Sequence, residues 1–321
     1  MFADLVFSLE TVTPIFVVLA VGYLLRRRGE ISEDFARTAN RLLFRYIMPI
    51  KLAGDLWQLD VRRGYPLAEA LFISLGIIAN AALAWLVARL GGMPRRQIGT
   101  FVQGSFRGNY VYIGLTLLQA ILGYVDPKAP LAVIFTITLY NLIAVPMLLW
   151  SNADSDIDAK LGLGARLLAI LRGLFTNPLL IGIVIGAALS LIRMPLPSVV
   201  ARSLSFFSSF ATPLALIAIG ASFKFDVPRQ ERAWSLVAAL LKLVVVPLGV
   251  IAVAWAVGMR GHDLILLYVV FGVPTAVNSY PMVSEMCGDT GLAASIILYT
   301  TVLSVVSSTA FVFAFRSLGW I

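Results

Sequence analysis

Between Glu69 and Arg89 the chain reads ALFISLGIIANAALAWLVA, an apolar run without a single charge. A helix crossing a bilayer needs roughly 20 mostly apolar residues, and this run supplies them. Lipid offers no partners to peptide groups, so only helices and closed barrels span it. The alternating strands of a barrel, about ten residues each, are missing from this sequence. Composition agrees: 60% of the 321 residues are hydrophobic and 13% charged, against about half and a quarter in a soluble domain. The fold class is an all-α integral membrane protein.

Ten spans follow from the apolar segments, at 4–25, 36–57, 66–90, 98–123, 130–150, 167–192, 199–222, 233–257, 263–287 and 292–315. The N-terminus MFADLVFSLE carries Asp4 and Glu10 and no basic run, so it reads as the start of a span and not as a cleaved signal. Basic residues favour the odd-numbered loops, which hold Arg26, Arg27, Arg28, Arg37, Arg89, Arg95, Arg96, Lys160, Arg166, Arg172, Lys224, Arg229 and Arg232. The even loops and termini hold only Arg62, Arg63, Lys128, Arg193, Arg202, Arg260 and Arg316. The excess places the odd loops in the cytoplasm and both termini outside. It also accounts for the net charge of +8 without nucleic acid. Cys287 has no partner for an intrachain disulfide, and His262 alone cannot seed a metal cluster. No cofactor, metal or hydrolytic set is expected.

The chain repeats itself. TPIFVVLAVG (13–22) matches NPLLIGIVIG (177–186), pairing Pro14 with Pro178 and Gly22 with Gly186 at an offset of 164. Pro49 and Pro213 stand at the same offset. The chain divides into a first repeat (1–150), a cytoplasmic linker (151–166) and a second repeat (167–321). Each repeat holds five spans, and because five is odd the second enters the bilayer inverted. Inverted repeats belong to transporters, whose sites lie at mid-membrane where helices break.

Such breaks are visible. Span four contains Arg107-Gly108-Asn109, and span nine contains Pro274, Thr275, Asn278 and Pro281 within GVPTAVNSYPMVSEMCGD (272–289). Proline removes a backbone donor and glycine weakens a helix. The freed peptide groups must be buried or line a wet cavity, and half-helix N-termini suit a carboxylate. The competing reading is a pair of kinks with asparagine hydrogen bonds between helices. For Pro49 and Pro213 the two readings stand level; for Asn109 and Asn278 a ligand site is favoured.

The Asn-x4-Gly of span four (Asn109, Gly114), VPTAVNSYP in span nine, NPLLIGIVIG and TPLALIAIG occur in the order found in the auxin efflux carriers. The chain resembles that family, which includes plant PIN-type carriers and bacterial malonate-type permeases, over nearly its whole length. The resemblance implies a bile-acid-symporter-like fold with a scaffold of spans one, two, six and seven. A transport domain of spans three to five and eight to ten would move past it in an elevator-like cycle, often in a homodimer. Spans four and nine would cross at the site. Two departures stand out: Gly108 and Thr116 occupy positions where the family often has proline. Span three also lacks a clear match for the carboxylate tied to proton coupling in some members.

Charges inside spans are functional candidates by default. Arg107 lies deep in span four and Lys242 deep in span eight; Lys242 either reaches the cavity or pairs with an acid. Lys51 lines the path or snorkels outward, and Arg41 and Arg45 read as interfacial. Glu285, at the far end of span nine, reads as interfacial, and Glu69 and Glu10, near outer span ends, read as surface residues. Tyr140-Asn141 in span five corresponds to Tyr299-Thr300 in span ten, as cavity wall or interhelical hydrogen bonding. Ser304, Ser307 and Ser308 read as packing.

Arg107, Lys242 and Lys51 have no evident buried carboxylates, so the expected function is secondary transport of small organic anions, mono- or dicarboxylates. The binding set is Arg107, Gly108, Asn109, Asn141, Pro274, Thr275, Asn278 and Lys242; the helix breakers are Gly108, Gly114, Pro274 and Pro281. The expected setting is the bacterial inner membrane. Proton or sodium coupling in the same fold, or a receptor without turnover, are the alternatives.

Overall fold

A computed structural model describes residues 2–58, 65–151, 176–223, 229–286 and 288–321, with Arg229, Gln230, Pro281 and Glu285 described by their backbone alone. The linker beyond Ser151, the start of span six (167–175), Arg62, Arg63, Lys160, Arg166, Arg172, Lys224 and Cys287 lie outside the described residues. The described chain is helical, and its one β-type contact is an isolated bridge.

The helices are α1 (Phe2–Arg27), α2 (Glu33–Leu42), α3 (Met48–Trp57), α4 (Leu67–Leu90), α5 (Arg95–Phe106), α6 (Leu115–Leu122) and α7 (Lys128–Ser151). There follow α8 (Pro178–Leu191), α9 (Ser198–Ala221), α10 (Arg229–Leu240), α11 (Val246–Ala256), α12 (His262–Gly272), α13 (Ser279–Glu285) and α14 (Thr290–Ser317). Among the described residues six helical stretches are long and apolar enough to cross a membrane: Phe2–Arg27, Leu67–Leu90, Lys128–Ser151, Ser198–Ala221, Glu231–Ala256 and Thr290–Ser317. Shorter apolar helices cover Tyr110–Leu122, Pro178–Leu191 and His262–Gly272. The chain is an integral membrane protein.

Local chemistry sets the helix ends. Ser32, Asn177 and Asp289 cap α2, α8 and α14, their side-chain oxygens accepting from the amides of Phe35, Leu179 and Leu292. Two π-turns, Leu43–Ile47 and Leu241–Val245, join α2 to α3 and α10 to α11. Each sits just before a proline, Pro49 or Pro247. The ring lacks an N–H and crowds the preceding turn, and the wider turn relieves both.

α1 packs along α9, and α3 along α8. Glycine brings both pairs into backbone contact: a Cβ on Gly22 would overlap the carbonyl oxygen of Ile217, and one on Gly186 that of Ala53. The two contacts share one spacing: 186 − 22 and 217 − 53 both equal the offset of 164 found in the sequence. The remaining helices also pack on one another. α10 lies along α14, α5 along α4 and α7, and α11 along α12, while α1 also touches α14 and α6.

Candidate functional site: the crossing of two interrupted helices

α5 stops at Phe106 because Gly108 holds helix poorly; Arg107 turns to extended backbone (φ −79°, ψ 100°). α12 stops at Gly272 for another reason. The residue before a proline is pushed out of the α region, and Val273, before Pro274, is extended (φ −71°, ψ 153°). The two extended stretches cross, and Gly108 and Thr275 form an antiparallel bridge.

Peptide groups released by the breaks bind each other. The Asn109 amide donates to the Pro274 carbonyl at 2.7 Å, and the Ala276 amide to the Arg107 carbonyl at 3.0 Å. The Thr275 amide donates to Thr300 Oγ1 at 3.1 Å, and the Tyr140 hydroxyl lies near the Gly108 amide. Thr275 Oγ1 donates to the Gly104 carbonyl at 2.6 Å. The expectation that freed peptide groups face a solute is therefore revised. Both breaks are short and extended, so they fit together as a single rung.

Arg107 is buried, and Nη1 donates to the thioether of Met282 at 3.1 Å, a weak acceptor. Lys242, on the π-turn between α10 and α11, is fully buried, and Nζ donates to the Phe106 carbonyl at 3.2 Å. Among the described residues no carboxylate pairs with either. Lys51 differs: it is buried in an ion pair with Asp55 at 2.6 Å, one turn along α3. The expected surplus of three in-span cations is corrected to two. An i,i+4 spacing puts both groups on one helical face, where they meet a cleft lined by Gln119, Tyr124 and Asp126. Glu69, expected at the surface, is largely covered and accepts from Lys128 Nζ at 2.7 Å; Lys128 also binds Asp263 at 2.7 Å.

The other expected site residues divide. Asn109 and Thr275 are buried at the crossing, with Pro274 beside them. Asn278 stands at the start of α13 but is exposed, and its side chain caps nothing. Asn141 is half-buried, and its neighbour Tyr140 is the α7 residue that reaches Gly108. Pro281 falls in the first turn of α13, where a missing N–H costs nothing, so it follows the break and does not cause it. Gly114 ends a π-turn (Tyr110–Gly114) and lets Val269 of α12 approach: a Cβ there would lie 3.2 Å from Val269 Cγ1.

Gln103 and Asn80 went unnoticed in the sequence. Gln103 is fully buried; Nε2 reaches the Ser279 carbonyl and Met282 Sδ, both at 3.4 Å, and Oε1 has no partner. Asn80, buried on α4, has neither side-chain atom paired, and Asn109 Nδ2 is also unpaired. An uncharged polar residue inside an apolar run was the available signal. Each unsatisfied atom costs about 1–3 kcal/mol, the kind of cost retained where a ligand or water is to be bound.

Comparison with known proteins identifies the family. The chain matches a family model described as membrane transport protein over residues 7–312. It is 24% identical over 303 residues to an uncharacterized transporter of Methanothermobacter thermautotrophicus, covering 94% of this chain and 96% of that one. The uncharacterized transporter YfdV of Escherichia coli K12 is 24% identical over 305 residues, 91% of this chain and 94% of its own. A third, MJ1031 of Methanocaldococcus jannaschii, is 21% identical over 304 residues, 92% and 95% of the two chains. The chain therefore belongs to the membrane transport protein family of the auxin efflux carriers.

Proposed function

We propose that this protein is a secondary carrier of small organic anions, mono- or dicarboxylates, working by elevator-type alternating access. The observation that carries the reading is Arg107: a buried guanidinium at the crossing whose bonded partner is a thioether. Arg presents a fork of N–H donors suited to a carboxylate, and burying it without one is costly. Unpaired Asn109 Nδ2 and Gln103 Oε1 supply further polar contacts.

The architecture behind this reading is two inverted five-helix repeats, supported by the repeated glycine contact of Gly22 with Ile217 and Gly186 with Ala53. α1, α2–α3, α8 and α9 form the scaffold, and the helices around the crossing form the moving domain. That division is supported by the close packing of α1 with α9 and of α3 with α8, although α1 also touches α14 and α6. The protein sits in the bacterial inner membrane as a homodimer with both termini outside.

The test is reconstitution into proteoliposomes and uptake of labelled mono- and dicarboxylates under imposed proton and sodium gradients. Asn109→Ala should lower uptake roughly tenfold, the worth of one lost hydrogen bond to a charged ligand. Parental uptake by that variant, or movement of cations alone, overturns the reading.

A further inference from the structure

The two helices that stop at the crossing both arrive there by their C-terminal ends, α5 at Phe106 and α12 at Gly272. A helix C-terminus carries about half an elementary negative charge on its unsatisfied carbonyls. Two such ends amount to about one negative charge, buried, with no acid involved.

Lys242 stands where they meet. Its Nζ donates to the carbonyl of Phe106, the last residue of α5. A Cβ on Gly108 would lie 3.0 Å from that Nζ and 3.3 Å from the carbonyl oxygen of Val270, in the last turn of α12. The ammonium and the end of α12 thus flank one point. Lys242 is 0% exposed and, among the described residues, has no carboxylate partner. Half-helix C-termini and unwound carbonyls are also where carriers with broken helices hold a free coupling cation.

We propose that Lys242 is a tethered cation: its ammonium takes the place that a free alkali-metal ion would occupy between the ends of α5 and α12. The crossing is then charge-balanced with no metal bound, and movement of the site is not tied to sodium. The link to coupling rests on the carrier reading above, whereas the tethered-cation site itself does not.

The experiment uses the purified full chain in detergent and follows thermal unfolding in sodium chloride or choline chloride of equal ionic strength, with no organic anion present. The parent should unfold at one temperature in both salts. Lys242→Ala should unfold roughly 5 °C or more lower in choline and recover part of that loss, saturably, in sodium. Lys242→Arg should behave as the parent, and Lys242→Met, which fills the volume without the charge, should be as weak as Lys242→Ala in choline. If Lys242→Ala does not fold, failure of Lys242→Met beside a folded Lys242→Arg upholds the charge requirement. The inference is overturned by sodium stabilisation of the parent, by a Lys242→Met variant as stable as the parent, or by a folded Lys242→Ala without a sodium response. Failure of anion uptake in proteoliposomes would fault the substrate reading and leave this result untouched.

Discussion

Gly108 and Thr275 lie 167 positions apart in the chain and pair as an antiparallel bridge at the crossing. The bridge explains how two interrupted helices survive where water is scarce. Each break frees amides and carbonyls that lipid cannot satisfy, and here the flanking groups, Asn109 with Pro274 and Ala276 with Arg107, satisfy one another. Thr300, from a further helix, takes the amide of Thr275.

Gly108 is fixed by space as much as by conformation. A Cβ there would come within 3.0 Å of Lys242 Nζ and 3.2 Å of Val273 Cγ2. The lysine end can yield, so Gly108→Ala should fold at a cost of about 1 kcal/mol, with the ammonium displaced from Phe106. Uptake in proteoliposomes should fall roughly tenfold or more, as a site misplaced by about 1 Å does. A thermal unfolding shift of only a few degrees, measured beside uptake, separates this outcome from collapse.

The repeated glycine contact makes a paired prediction. Gly22→Ala and Gly186→Ala both force a methyl into a carbonyl of the facing helix, and backbone yields less readily than a side chain. Each should destabilise by about 1–3 kcal/mol, and by similar amounts if the two contacts are copies of one design. Thermal unfolding of the two variants checks it; a full cost at one glycine and none at the other would break the equivalence.

What could be read from the residues was the pattern that lipid imposes. Long apolar runs marked the membrane-length helices, six of them among the described residues, and Gly108 and Pro274 marked the breaks, because each is a local property of the chain. The crossing itself was legible at Gly108 and Pro274, since both act on their own backbone. Partner identity was not. Asp55 lies one turn from Lys51 in the sequence, yet only packing against the cleft at Gln119 and Tyr124 shows that the pair is buried. Asn278 and Asn109 looked alike as asparagines at breaks, and burial separates them. Asn80 and Gln103 carry no charge and so do not stand out among in-span ions, although their unpaired atoms are costly ones.

The Lys51–Asp55 pair, with side chains only 10% and 11% exposed, behaves as a unit. Removing one partner leaves a covered charge, so Lys51→Met should cost about 3–5 kcal/mol. Adding Asp55→Leu should restore most of that loss, because two apolar groups in place of a buried pair are close to neutral. A double-mutant cycle by thermal unfolding reads the coupling. Near-additive single costs would mean that the pair is solvated.

Arg107 sets function against stability. Its guanidinium is desolvated and bonded to a thioether, so the resting protein bears a cost that a bound carboxylate would offset. Arg107→Met removes both the charge and its desolvation, and replacement of a buried ion by an apolar side chain is often neutral or stabilising by about 1–4 kcal/mol. The variant should unfold at or above the parental temperature. Its carboxylate uptake should nevertheless fall about ten- to a hundredfold, from the loss of charge-assisted hydrogen bonds worth about 1.5–3 kcal/mol. Arg107→Lys keeps the charge but not the planar fork, and should recover only a minor part of the rate. Unfolding temperature and uptake, measured on the same preparations, should therefore move in opposite directions. A destabilised Arg107→Met that still carries the anion at parental rate would make the guanidinium a structural prop and not a ligand.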